Sequence, residues 1–267
     1  MKYKLFVSDF DGTLGKAPGI IEPETVAAIK EYQKKGGIFA VCTGRMFSSI
    51  RPICLNYGLK GLVISYQGAM INDIETGECL FSGGMDYASA AEIAKKMLSY
   101  GISALADIND VMYLHGESKY YDIYKTACKV CGEITDDLVK TILEKKQTVA
   151  KIGGLCDPSL TPAITAAVNA EFGDRFTVNN GSPILVEVVN KNYDKKFSVE
   201  YLAKYYNVPY EEIIAVGDSS NDVALLSGKW HGVAVGDGVE ELKKIADEIT
   251  VPYEKRPVEY LLKKYCL

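Results

Sequence analysis

The chain has 267 residues, 48% hydrophobic and 24% charged, which suits a globular protein of one large or two ordinary domains. Its net charge of −5, without a long run of one sign, argues against a broad surface for nucleic acid. No apolar stretch approaches a membrane span, and Leu5-Phe6-Val7 is too short for a signal-peptide core. We therefore expect a cytoplasmic monomer or small homo-oligomer, with no membrane or nucleic-acid partner.

The cysteines support the same compartment. Their number is seven, odd and without a repeating framework, which indicates free thiols in a reducing environment. Cys128-x-x-Cys131 has the spacing of a metal or redox pair, but no second pair accompanies it. We interpret these two residues as ordinary thiols on a helix.

Four short apolar runs end abruptly in small or polar residues. They are Leu5–Ser8, Ile38–Cys42, Leu62–Ser65 and Ile213–Gly217. Continuous apolar runs of this length are typical of strands covered on both faces of a parallel sheet. Between the first two runs, Pro23 fits a first helical position and Gly36-Gly37 a helix stop. This βαβ alternation predicts an α/β protein whose core is a doubly wound, Rossmann-like parallel sheet.

The middle of the chain follows a different pattern. An alanine-rich helix is predicted from about Tyr87 to Tyr100, followed by a hairpin around residues 108–110. A second helix and further strands follow, and helices against antiparallel strands form an α+β unit. We therefore predict an inserted α+β cap domain at residues 83–185, with a core built from residues 1–82 and 186–267.

Polar residues and one glycine follow the ends of the predicted strands. They are Asp9, Asp11, Thr43, Gly44, Asp218, Asn221 and Asp222. Ligands of open parallel sheets bind at the carboxyl ends of the strands, so these groups are expected to converge. Oxygen ligands of this kind suit Mg²⁺ beside a phosphate. They do not suit zinc, because histidine and cysteine are missing from these positions.

Asp9 and Asp11 are two residues apart on an extended segment and can therefore face the same ligand. Two adjacent carboxylates repel each other, and a divalent cation relieves that repulsion. One carboxylate can then attack phosphorus while the other moves a proton. Gly12 permits a sharp turn directly afterwards, although Asp-x-Asp-Gly is also a good surface turn.

The other segments are less specific when taken singly. Thr43-Gly44-Arg45 opens a helix and can cradle an anion with its backbone N–H groups, but it can equally be a simple cap. Residues 217–222 place three acidic or amide groups at a strand end, more than capping requires. Lys195, beside Lys196, also fits a solvated pair of lysines.

Together these segments carry a resemblance. In chain order they are Asp9-Phe10-Asp11-Gly12-Thr13-Leu14, Thr43-Gly44-Arg45, Lys195 and Gly217-Asp218-Ser219-Ser220-Asn221-Asp222. This order resembles the four motifs of the haloacid dehalogenase-like superfamily. The long insertion between the second and third motifs resembles its Cof-type branch of sugar-phosphate and flavin-phosphate phosphatases, as does Gln67-Gly68-Ala69, which is close to that branch's Asn-Gly-Ala.

The resemblance implies a role for each motif in a phosphatase that acts on small phosphorylated metabolites. Asp9 would form an aspartyl-phosphate, Asp11 would act as acid and base, and Lys195 would neutralise charge. The residues implied to contact the phosphoryl group are Phe10, Thr43, Gly44, Lys195 and Asn221. Mg²⁺ would be held by Asp9, the Asp11 carbonyl and Asp218, with Asp222 supporting through water.

Two departures from the family pattern bear on these assignments. Gln67 stands in place of asparagine, and Lys196 stands in place of a common glycine, so the active lysine could be either neighbour. We favour Lys195, because Glu187-Val188 aligns as the preceding strand and sets the count. In the cap, the candidates for contact with the leaving group are His115, Asn109, Tyr113, Tyr120 and Tyr121.

Three alternative functions stay open at this stage. A phosphomutase would use the same chemistry but pass the phosphoryl group to a sugar hydroxyl. Carbon–halogen hydrolysis needs an aspartate nucleophile but no metal, and the acidic pair Asp218 and Asp222 argues against it. A non-catalytic, phosphate-binding regulatory protein would have lost its activity although the required side chains are present.

Overall fold

The first apolar run of the sequence forms a strand at the centre of a sheet in the computed structural model, which describes residues 1–116, 118–128, 130 and 132–267. In chain order the strands are β1 (Leu5–Ser8), β2 (Ile38–Cys42), β3 (Leu62–Ser65), β4 (Met70–Asp73), β5 (Cys79–Ser82), β6 (Ser103–Ile108), β7 (Val111–His115), β8 (Glu133–Ile134), β9 (Val149–Leu155), β10 (Phe176–Ser182), β11 (Leu185–Asn190), β12 (Ile213–Gly217), β13 (His231–Ala234) and β14 (Glu248–Ile249).

The α-helices lie between groups of these strands and after the last strand. In chain order they are α1 (Pro23–Lys34), α2 (Phe47–Asn56), α3 (Tyr87–Ser99), α4 (Lys119–Cys128), α5 (Leu138–Lys145), α6 (Thr161–Phe172), α7 (Lys195–Tyr206), α8 (Val223–Leu226), α9 (Glu240–Ile245) and α10 (Pro257–Tyr265).

The larger sheet has eight strands in the order β14-β13-β12-β1-β2-β3-β4-β5. The pairs from β14 to β3 are parallel, whereas β4 runs antiparallel to β3. The four predicted strands are all present, and every residue of β1 is buried, as expected for a strand covered on both faces. The predicted doubly wound α/β core is confirmed.

The smaller sheet has six strands in the order β10-β11-β9-β6-β7-β8. Its pairs are antiparallel except β7 with β8. The predicted hairpin is β6–β7, and its two turn residues, Asn109 and Asp110, have φ of 51° and 61°. Left-handed residues at both positions give the twist that a two-residue hairpin needs. Helices α3, α5 and α6 contribute to one apolar core with this sheet.

Two compact units follow from this arrangement, Met1–Phe81 with Tyr193–Leu267, and Ser82–Asn192. The second unit begins one residue before the predicted start at 83, but it ends seven residues after the predicted end at 185. The reason is β11, which pairs antiparallel with β9 and β10 and so belongs to the smaller sheet. The Glu187-Val188 segment that served to align Lys195 is therefore part of the second unit.

Within the described residues, no helix combines the length and apolarity needed to cross a membrane. Five cysteines are described as free thiols: Cys42, Cys54, Cys79, Cys156 and Cys266. The prediction for the Cys128 and Cys131 thiols lies outside the described residues.

Candidate active site

The carboxyl ends of three neighbouring parallel strands form one edge of the larger sheet. Asp9 follows β1, Thr43 follows β2 and Asp218 follows β12. Because β1 pairs with β2 on one side and β12 on the other, the three segments emerge side by side. The sequence-predicted groups therefore meet where ligands of open α/β sheets bind.

Lys195 lies at the centre of this edge. Its Nζ donates to Asp9 Oδ1 and to Asp222 Oδ1, both at 2.6 Å, and its side chain is fully buried. Burial works to lower the pKa of Lys195, but the negative charges of Asp222 and Asp9 outweigh it and raise the pKa above its usual value. Lys195 is therefore a buried, fixed positive charge between two carboxylates, whereas Lys196 is only half-buried.

Asp222 is fully buried and has protein partners on both oxygens. Its Oδ1 accepts from Lys195, and its Oδ2 accepts from the backbone N–H groups of Asp218 and Ser219, each at 3.1 Å. Ser219 completes a capping box with Asp222. Asp222 thus fixes both the lysine and the loop that carries Asp218, which suits indirect support of a cation better than direct ligation.

Asp218 lies close to the turn after Asp11. Its Oδ1 accepts from the Thr13 hydroxyl at 2.7 Å. A Cβ placed on Gly12, whose φ is +89°, would lie 2.5 Å from Asp218 Oδ2, so only glycine leaves room for the carboxylate. Burial raises the pKa of Asp218 to about 6, with the Thr13 hydrogen bond opposing the shift.

Asp9 is a buried carboxylate, and burial disfavours its charged form. Burial, then the charge of Asp222, raise the pKa of Asp9 well above its usual value, although Lys195 opposes them. Asp9, Asp218 and Asp222 each offer one carboxylate oxygen, and these three oxygens lie within 4.8 Å of one another. A divalent cation there would relieve the repulsion, and an all-oxygen donor set suits a hard cation such as Mg²⁺. The residues present therefore fit the predicted cofactor.

Asp11 turns towards Arg45. Arg45 Nε donates to Asp11 Oδ2 at 2.8 Å, and Arg45 Nη2 donates to Asp11 Oδ1 at 2.6 Å. The arginine is 12% exposed and the aspartate 47%. The predicted acid–base residue is thus held at the surface of the site by a two-pronged charge-assisted contact.

The residues predicted to contact phosphate occupy different depths. Thr43 is buried, and its hydroxyl accepts from the Arg45 N–H at 3.2 Å. Asn221 is exposed, and its Nδ2 donates to Gln67 Oε1 at 3.4 Å. The ring of Phe10 is fully buried, 5.0 Å below the Arg45 guanidinium, so only its backbone is suited to meet a polar ligand.

Gln67 closes over Gly44. A Cβ on Gly44 would lie 2.4 Å from Gln67 Nε2, the flexible end of that side chain, so a larger residue at position 44 would require Gln67 to move. Gln67 has a φ of 59°, and the preceding Tyr66 has a φ of 52°. These are left-handed values that residues other than glycine rarely adopt. Two such residues in succession indicate a loop whose shape is imposed by its surroundings.

The same loop also sets the start of α7, where Lys195 lies. A Cβ on Gly68 would lie 2.2 Å from the Asp194 carbonyl oxygen, and the Gly68 carbonyl accepts from the Ser198 hydroxyl at 3.0 Å. Asp194 caps the helix by accepting from the Phe197 N–H at 2.8 Å. The loop after β3 therefore fixes the start of α7 and with it the position of Lys195 in the site.

The second unit holds the predicted contacts to the leaving group. Tyr113 is buried in the apolar core beneath the sheet, and Asn109 lies in the β6–β7 turn. Tyr120 OH donates to Asp157 Oδ2 at 2.7 Å. His115 and Tyr121 line an open cavity of about 630 Å³ within this unit. His115 and Tyr121 are therefore placed beside a space that could hold a ligand.

Three residues of this site have no role among the predictions from sequence: Arg45, Thr13 and Gln67. Arg45 and Thr13 stood within quoted motifs, and Gln67 was noted only as a departure. A signal existed for Arg45, because an arginine two residues after a strand-end threonine lies at the ligand edge. None existed for the Thr13–Asp218 contact, since 205 positions separate the two residues.

The fold places a cluster of carboxylates and a buried lysine at the ligand-binding edge of an α/β sheet, and comparison with known proteins identifies the family. A model of the haloacid dehalogenase-like hydrolases matches residues 6–262. The chain belongs to this family. The predicted resemblance is confirmed, as is the class of enzyme, since relatives in this family are named phosphatases.

Individual relatives align along nearly the whole chain. The 5-amino-6-(5-phospho-D-ribitylamino)uracil phosphatase of Bacillus subtilis is 25% identical over 275 residues, covering 98% of this chain and 97% of the relative. A crystal structure from Thermotoga maritima superposes with a TM-score of 0.88 at 24% identity, covering 98% of this chain and 97% of that one. A subclass IIB sugar phosphatase superposes with a TM-score of 0.83 at 18% identity, covering 98% of both chains.

Proposed function

We propose that this chain is a Mg²⁺-dependent phosphatase that hydrolyses small phosphorylated metabolites, sugar phosphates or similar phosphomonoesters, through an aspartyl-phosphate on Asp9. The observation that carries the proposal is the contact between Lys195 Nζ and Asp9 Oδ1 at 2.6 Å, with Asp218 and Asp222 grouped around the same aspartate. An ion pair with a purely structural role needs only two charges, but this site groups four. Phosphoryl transfer requires such a group, because it depends on charge neutralisation and alignment.

Each residue has one task in this proposal. Asp9 Oδ2 attacks phosphorus, because Oδ1 is already held by Lys195. The bond from phosphorus to the ester oxygen breaks, and that oxygen takes a proton from Asp11. Water then gives a proton to Asp11 and attacks phosphorus, which releases inorganic phosphate and regenerates the Asp9 carboxylate.

Binding of the phosphoryl oxygens falls to groups at the same sheet edge. We assign it to the Thr43 hydroxyl, the Gly44 and Phe10 backbone N–H groups, the Asn221 amide and Lys195. Asp9, the Asp11 carbonyl and Asp218 would hold Mg²⁺, and Asp222 would support it indirectly. When bound, the cation supplies charge neutralisation at the phosphoryl oxygens and at the attacking carboxylate.

The substrate class rests on family membership. The names of the Bacillus subtilis ribitylaminouracil phosphatase and of the subclass IIB sugar phosphatase both specify phosphate esters of polyhydroxylated carbon chains or sugars. The second unit would contact the part of the substrate beyond the phosphate, and its exposed polar residues would select among such esters. A cytoplasmic location is part of the proposal and is favoured by the free thiols.

A panel of sugar, polyol and flavin-precursor phosphates tests the proposal. We expect release of inorganic phosphate that depends on Mg²⁺ and is lost with a chelator. Analysis of the organic product separates the alternatives. An isomeric sugar phosphate without free phosphate would mean a phosphomutase. Binding of phosphate esters without turnover of any of them would mean a non-catalytic binding protein.

A further inference from the structure

Arg45 has an arrangement that the proposed chemistry has not used. It lies three residues after the end of β2, and its guanidinium contacts both oxygens of Asp11 through Nε at 2.8 Å and Nη2 at 2.6 Å. Asp11 itself is 47% exposed. One side chain therefore fixes the direction of the whole Asp11 carboxylate.

Arg45 is the stationary member of this pair. Its backbone N–H donates to the Thr43 hydroxyl at 3.2 Å, and its carbonyl accepts from the Tyr66 N–H at 3.0 Å. Its guanidinium lies 5.0 Å above the buried ring of Phe10, a cation–π contact. Because Arg45 is 12% exposed and held at both ends, Asp11 is positioned by the arginine and not the reverse.

An ordinary surface ion pair does not account for these contacts. Such pairs are exposed and contribute little. Arg45 instead buries its Nη1, which has no hydrogen-bond partner among the described residues. Burying an unpaired donor is unfavourable, so the guanidinium is held in this place for its contact with Asp11.

The geometry also leaves Asp11 able to exchange a proton. A two-pronged contact occupies one lone pair on each carboxylate oxygen and leaves one on each. The remaining lone pairs have a fixed direction only while the arginine holds the carboxylate. Without Arg45, the side chain of Asp11, which is nearly half exposed, would rotate among several staggered positions.

We propose that Arg45 is a positioning residue for proton transfer to the leaving group, acting through Asp11. This inference rests on the proposed phosphatase function. Its consequence is a dependence on the leaving group. An alkoxide leaves only with a proton, whereas an acidic phenol leaves as the phenolate and needs little help from Asp11.

The test compares two substrates in variants of Arg45. One substrate is the best sugar or polyol phosphate from the panel, and the other is p-nitrophenyl phosphate. In Arg45→Met we expect kcat/KM to fall about a hundredfold or more for the alkyl ester and less than about tenfold for the aryl ester. Arg45→Lys keeps the charge but loses the two-pronged contact, and we expect the same selectivity.

Arg51 provides the matched control. It lies in α2, its guanidinium is 5.8 Å from the Phe47 ring, and its Nε donates to the Ile74 carbonyl at 3.0 Å. It has no contact to Asp11 among those described. In Arg51→Met we expect any loss to be equal for the two substrates.

A double variant completes the test. Asp11→Asn should show the same selectivity as Arg45→Met, and Asp11→Asn with Arg45→Met should be no slower on the alkyl ester than Asp11→Asn alone. Equal losses on both substrates in Arg45→Met and Arg45→Lys, or additive losses in the double variant, would overturn the inference. If Arg45→Met does not fold, the Arg45→Lys comparison decides.

These outcomes are separable from a failure of the proposed function. That function fails if the wild type releases no phosphate or if Asp9→Asn keeps its turnover. The inference about Arg45 fails alone if the wild type is active and Asp9→Asn is not, yet both Arg45 variants treat the two substrates alike.

Discussion

Lys195 Nζ lies 2.6 Å from Asp9 Oδ1, although 186 positions separate the two residues in the chain. The lysine enters at the start of α7, directly after the chain returns from the second unit, and the aspartate ends the first strand of the core. This ion pair therefore joins the two segments of the core that the insertion separates. Folding of both segments is a condition for a complete site.

Replacing Lys195 tests which of the two adjacent lysines acts. We expect Lys195→Met to lower kcat about 10²- to 10³-fold, because a fixed positive charge beside the phosphoryl group is lost. It should also lower the free energy of unfolding by about 3–5 kcal/mol, because Asp9 and Asp222 lose their buried counter-charge. Phosphate-release kinetics and urea unfolding measure the two effects.

Lys196→Met is the control for this prediction. Lys196 is half-buried, and no contact with Asp9 or Asp222 is described for it. We expect kcat within about threefold of the wild type, as for most surface changes. A large loss of kcat in Lys196→Met with none in Lys195→Met would show that Lys196, and not Lys195, is the catalytic lysine.

Metal binding should be visible in stability as well as in activity. A ligand that binds only the folded state raises the midpoint of thermal unfolding as its concentration rises. We expect Mg²⁺ to raise this midpoint in the wild type and to have little effect in Asp218→Asn, which lacks one proposed ligand. Asp122→Asn removes a carboxylate that is 78% exposed and distant in sequence from the cluster, and its response should equal that of the wild type. An unchanged response in Asp218→Asn would count against the proposed metal site.

Gly68 should be essential for the entry of α7. An alanine Cβ there would lie 2.2 Å from the Asp194 carbonyl oxygen, at a φ of +119°. We expect Gly68→Ala to destabilise the chain by more than about 1 kcal/mol and to lower kcat, because the start of α7 carries Lys195. Urea unfolding and phosphate release provide the two readouts.

Gly101→Ala is the control that separates the effect of backbone strain from the effect of the close contact between Gly68 and Asp194. Its φ of +69° is also left-handed, but a Cβ there would meet nothing within 4 Å. We expect Gly101→Ala to destabilise the chain less than Gly68→Ala and to leave kcat unchanged. Equal effects of the two substitutions on both readouts would mean that the Gly68–Asp194 contact does not position the lysine.

The second unit contains a buried carboxylate with a predictable effect of pH. Asp107 is fully buried near Lys151, with 3.3 Å between Asp107 Oδ2 and Lys151 Nζ. Burial raises the pKa of Asp107 from 3.8 to about 6, although Lys151 opposes it. The folded state therefore holds this proton more tightly than the unfolded state, and the contribution to stability is greatest below pH 3.8 and is lost as the pH rises through about 6.

This loss has a measurable size. At about 1.4 kcal/mol per pKa unit, Asp107 should lower the free energy of unfolding by about 3 kcal/mol between about pH 4 and pH 7. We expect urea unfolding of Asp107→Asn to lack this part of the pH dependence. Glu144→Gln, which changes a carboxylate that is 68% exposed, should retain it. The same pH dependence in wild type and Asp107→Asn would contradict the assignment.

Much of the core and its site could be predicted from the sequence. Short apolar runs with polar ends identify β1, β2, β3 and β12, and parallel pairing requires that their carboxyl ends meet. The grouping of Asp9 with Asp218 follows from that geometry. The contact between Arg45 and Asp11 does not, because a side chain that reaches across two loops leaves no periodic signal.

The end of the insertion was harder to predict from the sequence than the core strands, and the reason is physical. Four of the six residues of β11 are apolar and five are buried, a pattern close to that of the core strands. A buried strand has the same local pattern whichever sheet it joins, so only the pairing of β11 with β9 and β10 assigns it to the second unit. The core therefore resumes at Tyr193 and not at residue 186.

Asp9→Asn is a direct test of the proposed nucleophilic role of Asp9. The measurement is phosphate release from the best phosphomonoester at saturating Mg²⁺, with unfolding curves to establish that the variant is folded. We expect a loss of at least about 10³-fold in kcat, because an uncharged amide cannot form the aspartyl-phosphate. Turnover of a folded Asp9→Asn protein at a rate near that of the wild type would contradict it.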